Sequence, residues 1–541
     1  MTAHYVGIVN VRRVLANPRL ASDNEDWTAF EGSQRVWRAS IVVDPRHPVS
    51  YQLDDHRRRA SGDRSDYSRV AFASHFCLLK WAGANEERAA VRPIVTIADT
   101  TKGLTAAFDA IFAPYGGIGN VIPADSKVHI KPNAIHFSPG VHTDPAVVDG
   151  LLAYLSDNGY RRLALMENSS HGLSTRLVFA INGYADIARR HGAELMYLDE
   201  GGTVPYTLEG EEAPIRISRR LYETFINPSR RVGNFYLSLP KLKTHSMTTM
   251  TLGVKNQQAF PIHRDRMHFH NHETLHLRLA RLYRMLRPDF CIIEGVTAIF
   301  NGHVPPAALL KESSVGLNVL VGGQDTVAVD TVGSRVMGYS IEEVEHLRLA
   351  AEWGLGEGRL EHIEVIGDLC RFQVRYPYAL LRRFPPDVRI VEGRERACIE
   401  GCKGNTECAL EILSNDYASQ GGFTIVFGKG FDEADLENLP GDILVVGTCA
   451  VNERGADLRR RYRGRRIIEV DAHNDLRGIT AGLATLMKIR PVDLVPLNPL
   501  QSLWILLQAK LHGLNSRVTP VLGGPAPTGL SQAERRWYSE G

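Results

Sequence analysis

The chain has 541 residues, of which 63 are Lys or Arg and 61 Asp or Glu, for a formal net charge of +2. Apolar residues at 44% and charged residues at 23% exclude a mostly disordered chain, and so balanced a charge excludes a polyelectrolyte that neutralises many phosphates at once. No apolar run reaches the ~18 residues that span a bilayer; the stretch around Leu503–Leu507 is short and soon meets Lys510.

Met1 to Arg13 lacks the apolar core of a secretory leader, so the expected location is cytoplasmic, with no membrane and no nucleic-acid partner. Cysteine is present seven times, an odd number in a long chain, which favours reduced thiols over a disulfide framework.

Residues 1–92 read as an N-terminal extension, with apolar segments at Ser40–Val43 and Arg69–Leu79 and a charged loop at Asp54–Asp66. From Pro93 apolar runs alternate with helical patterns, the mark of an α/β domain with a mostly parallel sheet, here assigned to residues 93–370. The runs are Lys127–Ile130, Arg162–Met166, Glu194–Leu198, Asn234–Leu239, Asp289–Ile293, Leu317–Val321 and His362–Ile366. Helices are expected at Pro145–Leu155, Arg176–His191, Glu273–Leu286, Thr326–Met337 and Ile341–Trp353, the first behind an Asp144-Pro145 cap. Residues 371–392 read as a connector, 393–514 as a smaller Cys-containing α/β domain, and 515–541 as a tail. In the smaller domain, strands fall near Phe423–Phe427, Ile443–Val446 and Arg466–Val470, and a helix at Gly478–Met487.

Apolar strands buried on both faces leave polar residues to the points where the chain exits the sheet, and ligands of open α/β sheets sit outside the carboxyl ends of the strands. Here the exits are Lys131-Pro132-Asn133, Glu167 to His171, Pro240-Lys241-Leu242-Lys243-Thr244-His245, Glu294-Gly295 and Gln324-Asp325. Lys131, Lys243 and Lys255 on one rim suit an anionic substrate, a carboxylate or a phosphate, as point charges or as amines of lowered pKa. Asn133, Asn256 and Thr244 supply orienting hydrogen bonds, Glu167 and Asp325 are the candidate carboxylates, and His245 or His268 is the candidate proton carrier.

The segment Pro261–His276 contains His263, His268, His270, His272 and His276. Metal ligation and general acid–base duty are both open for it, although an extended strand would spread 268, 270 and 272 over ~14 Å.

Lys131-Pro132-Asn133, Thr143-Asp144-Pro145, Pro240 to His245, Thr251-Leu252 through Lys255-Asn256, Pro288-Asp289 with Glu294-Gly295, and Asp325 to Asp330 follow one another in a familiar order. Over about residues 93–370 the chain resembles the domain of unknown function 362 family. Many members of that family resemble iron–sulfur proteins, so the resemblance implies an iron–sulfur-dependent oxidoreductase, with an electron-transfer protein as a possible partner. Two departures stand out. Asn301-Gly302-His303-Val304-Pro305 replaces a glycine-rich Gly-x-Gly-Pro stretch, and the repeated CxxC spacing of ferredoxins is absent. Placing a histidine before a lysine, Pro240–Lys255 also faintly resembles lactate racemase, which implies a non-redox metal-dependent isomerase or transferase as an alternative. A metallocofactor carrier or assembly protein is the third reading.

Cys398, Cys402, Cys408 and Cys449 are the candidate metal ligands. Four thiols in one small domain suit a four-iron four-sulfur cluster or a structural zinc, with iron–sulfur favoured by the resemblance alone. Alternatively, Cys408 is a buried helical residue, or a reactive thiol near a helix start capped by Thr406.

Overall fold

The computed structural model describes residues 92–229, 231–267 and 270–515, together with the backbone of His268 and of three strands nearer the N-terminus. Those three, β1 (Ala3–Gly7), β2 (Arg38–Val43) and β3 (Ser50–Asp54), form an antiparallel sheet in the order β1-β2-β3. They belong to a unit, Met1–Ala90, that is compact in itself, and Val91–Gly541 forms a second. The expected segment Arg69–Leu79 and the tail beyond 515 lie outside the described residues.

The second unit is built on a large sheet. Its strands are β4 (Ile94–Asp99), β5 (Lys127–Pro132), β6 (Leu163–Glu167), β7 (Glu194–Tyr197), β10 (Asn234–Leu239), β13 (Phe290–Ile299), β14 (Ser314–Gly323) and β15 (Glu364–Ile366). The order across it is β15-β4-β14-β13-β10-β5-β6-β7, and a hairpin of β8 (Thr203–Tyr206) and β9 (Ile215–Ser218) stands apart. The strands from β7 to β13 in this order run parallel to their neighbours. β14 runs antiparallel to β13 and to β4.

Side-chain alternation along these strands feeds two layers. Val128, Ile130, Phe235, Leu237, Phe290 and Ile292 pack with the helices Leu104–Phe112 and Pro145–Asp157 on one face. Cys291, Ile293, Val319 and Val321 pack on the other with the helix Thr326–Val336. Asp144 caps the helix Pro145–Asp157 by accepting from the Ala146 amide at 2.8 Å. The expected helix Arg176–His191 is instead two helices, Thr175–Ile181 and Tyr184–Arg190. Gly183 breaks it: its φ of 75° is the left-handed conformation that ends helices.

Past Pro240 the sheet does not stop. After the one amide that proline cannot supply, β11 (Lys241–His245) continues the line of β10, pairs with β13, and turns back into β12 (Thr249–Met250). The turn holds Thr249 at a φ of 61°, an outlier for a β-branched residue, and the returning Thr251 amide donates to the Lys243 carbonyl at 2.9 Å.

The smaller sheet is all parallel, in the order β16 (Arg389–Glu392), β17 (Thr424–Phe427), β18 (Ile443–Val446), β19 (Ile467–Val470). Its first strand lies inside the stretch expected to be a connector. The helices Cys402–Asp416 and Leu476–Leu486 cover one of its faces, and the former also packs on the large sheet's loops. At its C-terminal end the Asp416 carboxylate accepts from the amides of Ala307 (3.0 Å) and Ala308 (2.9 Å). Asp416→Ala strands both donors, so the urea midpoint should fall, equivalent to about 1–3 kcal/mol.

Candidate functional site

Four lysines are buried around the carboxyl ends of β5, β10 and β11: Lys131, Lys241, Lys243 and Lys255. Two of them are matched by carboxylates. Lys131 Nζ lies 2.9 Å from Glu167 and 2.9 Å from Asn256 Oδ1, with the Pro132 carbonyl at 3.4 Å. Lys241 Nζ lies 2.6 Å from Glu294.

Those three acceptors match the three donors of Lys131, which with Glu167 forms a buried ion pair. Glu167 also accepts from the amides of Ala134 (3.1 Å) and Asn168 (2.8 Å). Asn256 gives its amide protons to the Lys131 carbonyl (3.2 Å) and Ser238 Oγ (3.1 Å), and so fastens the loop instead of orienting a ligand.

The other two lysines have no carboxylate in contact among the described residues. Lys243 Nζ donates to Asn133 Oδ1 (2.9 Å) and the Val141 carbonyl (2.7 Å), both uncharged. Asn133 is itself fixed by Thr143, whose hydroxyl accepts from the Asn133 amide (2.9 Å) and donates to the Leu239 carbonyl (2.7 Å). Burial, then the charges of Lys255 and Lys241, push the Lys243 ammonium well below its ordinary pKa. Lys255 makes no hydrogen bond or ion pair with any described residue, and burial beside Arg266 lowers it to about 7.

The pleat of β11 sets Leu242 into the apolar core and leaves Lys241, Lys243 and His245 on the opposite face. His245 Nδ1 accepts from the Met247 amide at 3.1 Å, which places the proton of the neutral ring on Nε2. Its ring stacks on His303 with centroids 3.9 Å apart and planes 4° from parallel. Burial pushes both imidazoles well below 6.5, helped at His245 by His303 and Lys255 and at His303 by Lys243 and Lys255, so both are neutral at pH 7. His270, which feels Lys255 and Arg266, is lowered to about 3, again by burial first.

Arg266 is buried and, among the described residues, bound only to carbonyls: Ser169 (2.7 Å), Asn168 (3.2 Å), Ala259 (3.0 Å) and Pro261 (3.4 Å). Its Nε has no hydrogen-bond partner among the described residues. Lys243, Lys255 and Arg266 therefore bring three basic groups to one buried region with no acid in contact among the described residues, although Glu167 acts on Lys243 and Arg266 from farther off.

Residues 128–335 match the family described as "Domain of unknown function (DUF362)". The DUF362 match takes in β5 through nearly all of the helix Thr326–Val336, and so all four buried lysines, His245, His303 and Arg266. A thylakoid-associated protein of Synechocystis sp. is 26% identical over 238 residues, which are 42% of this chain and 68% of that protein. No solved structure matches the chain. No helix among the described residues is long and apolar enough to cross a membrane.

Asp325 and Thr244 leave the site. Because β14 is antiparallel, its exit lies at the opposite rim of the sheet, where Asp325 caps the helix Thr326–Val336 and accepts from the amides of Val327, Ala328 and Glu357. Thr244 points to the other face of β11 and donates to the Pro377 carbonyl at 3.1 Å. The His268 side chain lies outside the described residues.

The remaining histidines of the segment 263–276 do not converge. His263 meets Asn168, His270 and His272 meet Glu400, and His276 faces His346 and Glu345. His303 and Arg266 are site residues that sequence reasoning did not select. The signal for His303 was the departure at Asn301–Pro305: Asn301 and Gly302 both have positive φ, 59° and 98°, and that turn sets the imidazole over His245.

The cysteines also divide. Cys402 shares an electrostatic neighbourhood with Cys398 and Cys449, and its Sγ accepts from the Asn474 amide at 3.3 Å. Cys408 follows on the same helix by about one and two-thirds turns, so it faces elsewhere, packing on Val141 and Val304 near Lys243. The expected four-thiol ligand set is therefore not assembled. Among the described residues no group of three or more His, Cys, Asp or Glu is placed to hold a metal ion.

Burial raises the Cys408 thiol to about 12, whereas Cys449 is exposed. Iodoacetamide at pH 8 should label Cys449 in the native protein and reach Cys408 only after denaturation, as peptide mapping will read. A second expectation concerns pH. Lys255 titrates at about 7 when folded and near 10.5 as a free side chain, so between those values the unfolded chain binds more protons. Stability must then rise with pH across that window, by at most about 1.4 kcal/mol per pH unit from this group. Lys255→Met should show a flatter rise in Tm between pH 7 and 9 than the wild type.

Proposed function

We propose that the protein is an enzyme acting on a small anion, a carboxylate or phosphate, bound at the carboxyl ends of β5, β10 and β11. The observation that carries this reading is Lys243 and Lys255 buried together, beside Arg266, with no carboxylate in contact among the described residues. Burying uncompensated positive charge is costly, and a bound anion offsets that cost.

In this reading Lys243, held by Asn133 and the Val141 carbonyl, presents charge to the anion, and Arg266 adds a second cation. Neutral His245, stacked on His303, is placed to move a proton. What carries over from the sequence-based expectation is the anionic substrate; a cluster-dependent redox step has no ligand set among the described residues to support it.

Calorimetric titration with oxalate and with inorganic phosphate tests this. Lys243→Met should weaken the binding of whichever anion is taken up at least tenfold, while circular dichroism stays unchanged. Lys131→Met should act on the fold instead, because it leaves Glu167 buried and unpaired, at a cost of about 3–5 kcal/mol. Unaltered affinity in Lys243→Met, or no uptake of either anion, would overturn the proposal.

A further inference from the structure

Of the four buried lysines, Lys255 alone has its amino group unengaged among the described residues; Lys131, Lys241 and Lys243 are each held by oxygen acceptors. Nothing in contact among the described residues favours its ammonium form, and one neighbouring cation, Arg266, disfavours it. Desolvation next to another cation is how a lysine is made a nucleophile at neutral pH.

The backbone beneath Lys255 is also fixed. The Asp330 carboxylate accepts from the amides of Gly253 (2.8 Å) and Val254 (2.7 Å). Gly253 allows that approach, since a Cβ there would lie 2.5 Å from Thr326 Cγ2 and 2.8 Å from Cys291 Sγ. On the other side of Lys255, Asn256 is tied to Lys131 and Ser238. A long flexible side chain thus starts from a rigid base.

We propose that Lys255 is an imine-forming residue, and that the anion taken by this site is an oxo acid carrying an aldehyde or ketone carbonyl beside its charge. The proposal rests on the anion-binding reading above and names its substrate class. The neutral amine adds its lone pair to the carbonyl carbon, and the oxygen takes up a proton to give a carbinolamine. Loss of that oxygen as water leaves a C=N bond to Nζ, so that amine and carbonyl give imine and water, with no oxidant or reductant. The Arg266 guanidinium, whose charge reaches Lys255, meets the substrate's charge. The neutral rings of His245, His303 and His270 are near enough to couple with Lys255 and can pass the protons that addition and dehydration require.

The test is reductive trapping. The full chain is incubated with pyruvate, and in parallel with glyoxylate, in the presence of cyanoborohydride, then analysed by intact mass and peptide mapping. The expected result is a single reduced adduct on Lys255, suppressed by oxalate and absent from Lys255→Met and Lys255→Arg. The trapping rate should rise with pH about a midpoint near 7. Adducts spread over surface lysines, or equal trapping in the Lys255 variants, would overturn the assignment. Oxalate binding without trapping would overturn the imine alone and leave an anion site; loss of both would overturn the anion reading as well.

Discussion

An ammonium group gives up several kcal/mol of hydration when it is buried, and the four interior lysines do not all meet that cost in the same way. Glu167 compensates Lys131 and Glu294 compensates Lys241, and these two pairs tie neighbouring strand ends together. Lys243 receives only neutral oxygens, and Lys255 receives none from the described residues. The first two lysines are thus cross-links in the fold. The last two hold free energy in reserve, which a ligand of opposite charge or a lost proton releases.

Much of the surrounding architecture reads as support for that imbalance. Thr143 joins the exit of β5 to the end of β10 and so fixes Asn133 under Lys243. Asp330 reaches from the helix behind β14 to hold the loop bearing Lys255. The hairpin of β11 and β12 keeps a β-branched residue in a left-handed turn, strain of the kind that persists where neighbours over-determine the backbone.

Parallel strands force their polar residues to the ends, which made the exits legible in the sequence, and Lys243 does meet Asn133. Strand direction was not legible: nothing in Leu317–Val321 says that β14 is antiparallel, and that reversal removes Asp325 from the rim. Pro240 read as a terminus, yet it interrupts one ladder bond and β11 resumes. The cysteine spacing looked like a ligand set on a line, but a helix from Cys402 turns Cys408 away. Arg266 and His303 were hidden because a single polar residue in a loop has no period to betray which way it faces.

The helix Cys402–Asp416 belongs to the smaller sheet, yet Cys408 lies near Lys243 and Gly404 touches Met247, just past β11. Asn474, bonded to Asn405, holds the carbonyl of His270. The C-terminal sheet is therefore part of the insulation that keeps the low-dielectric interior dry. A polypeptide ending near residue 370 would retain all four interior lysines and lose that shield, and hydrated amines would regain their ordinary basicity. The chemistry of the larger half is in this sense set by the shorter one.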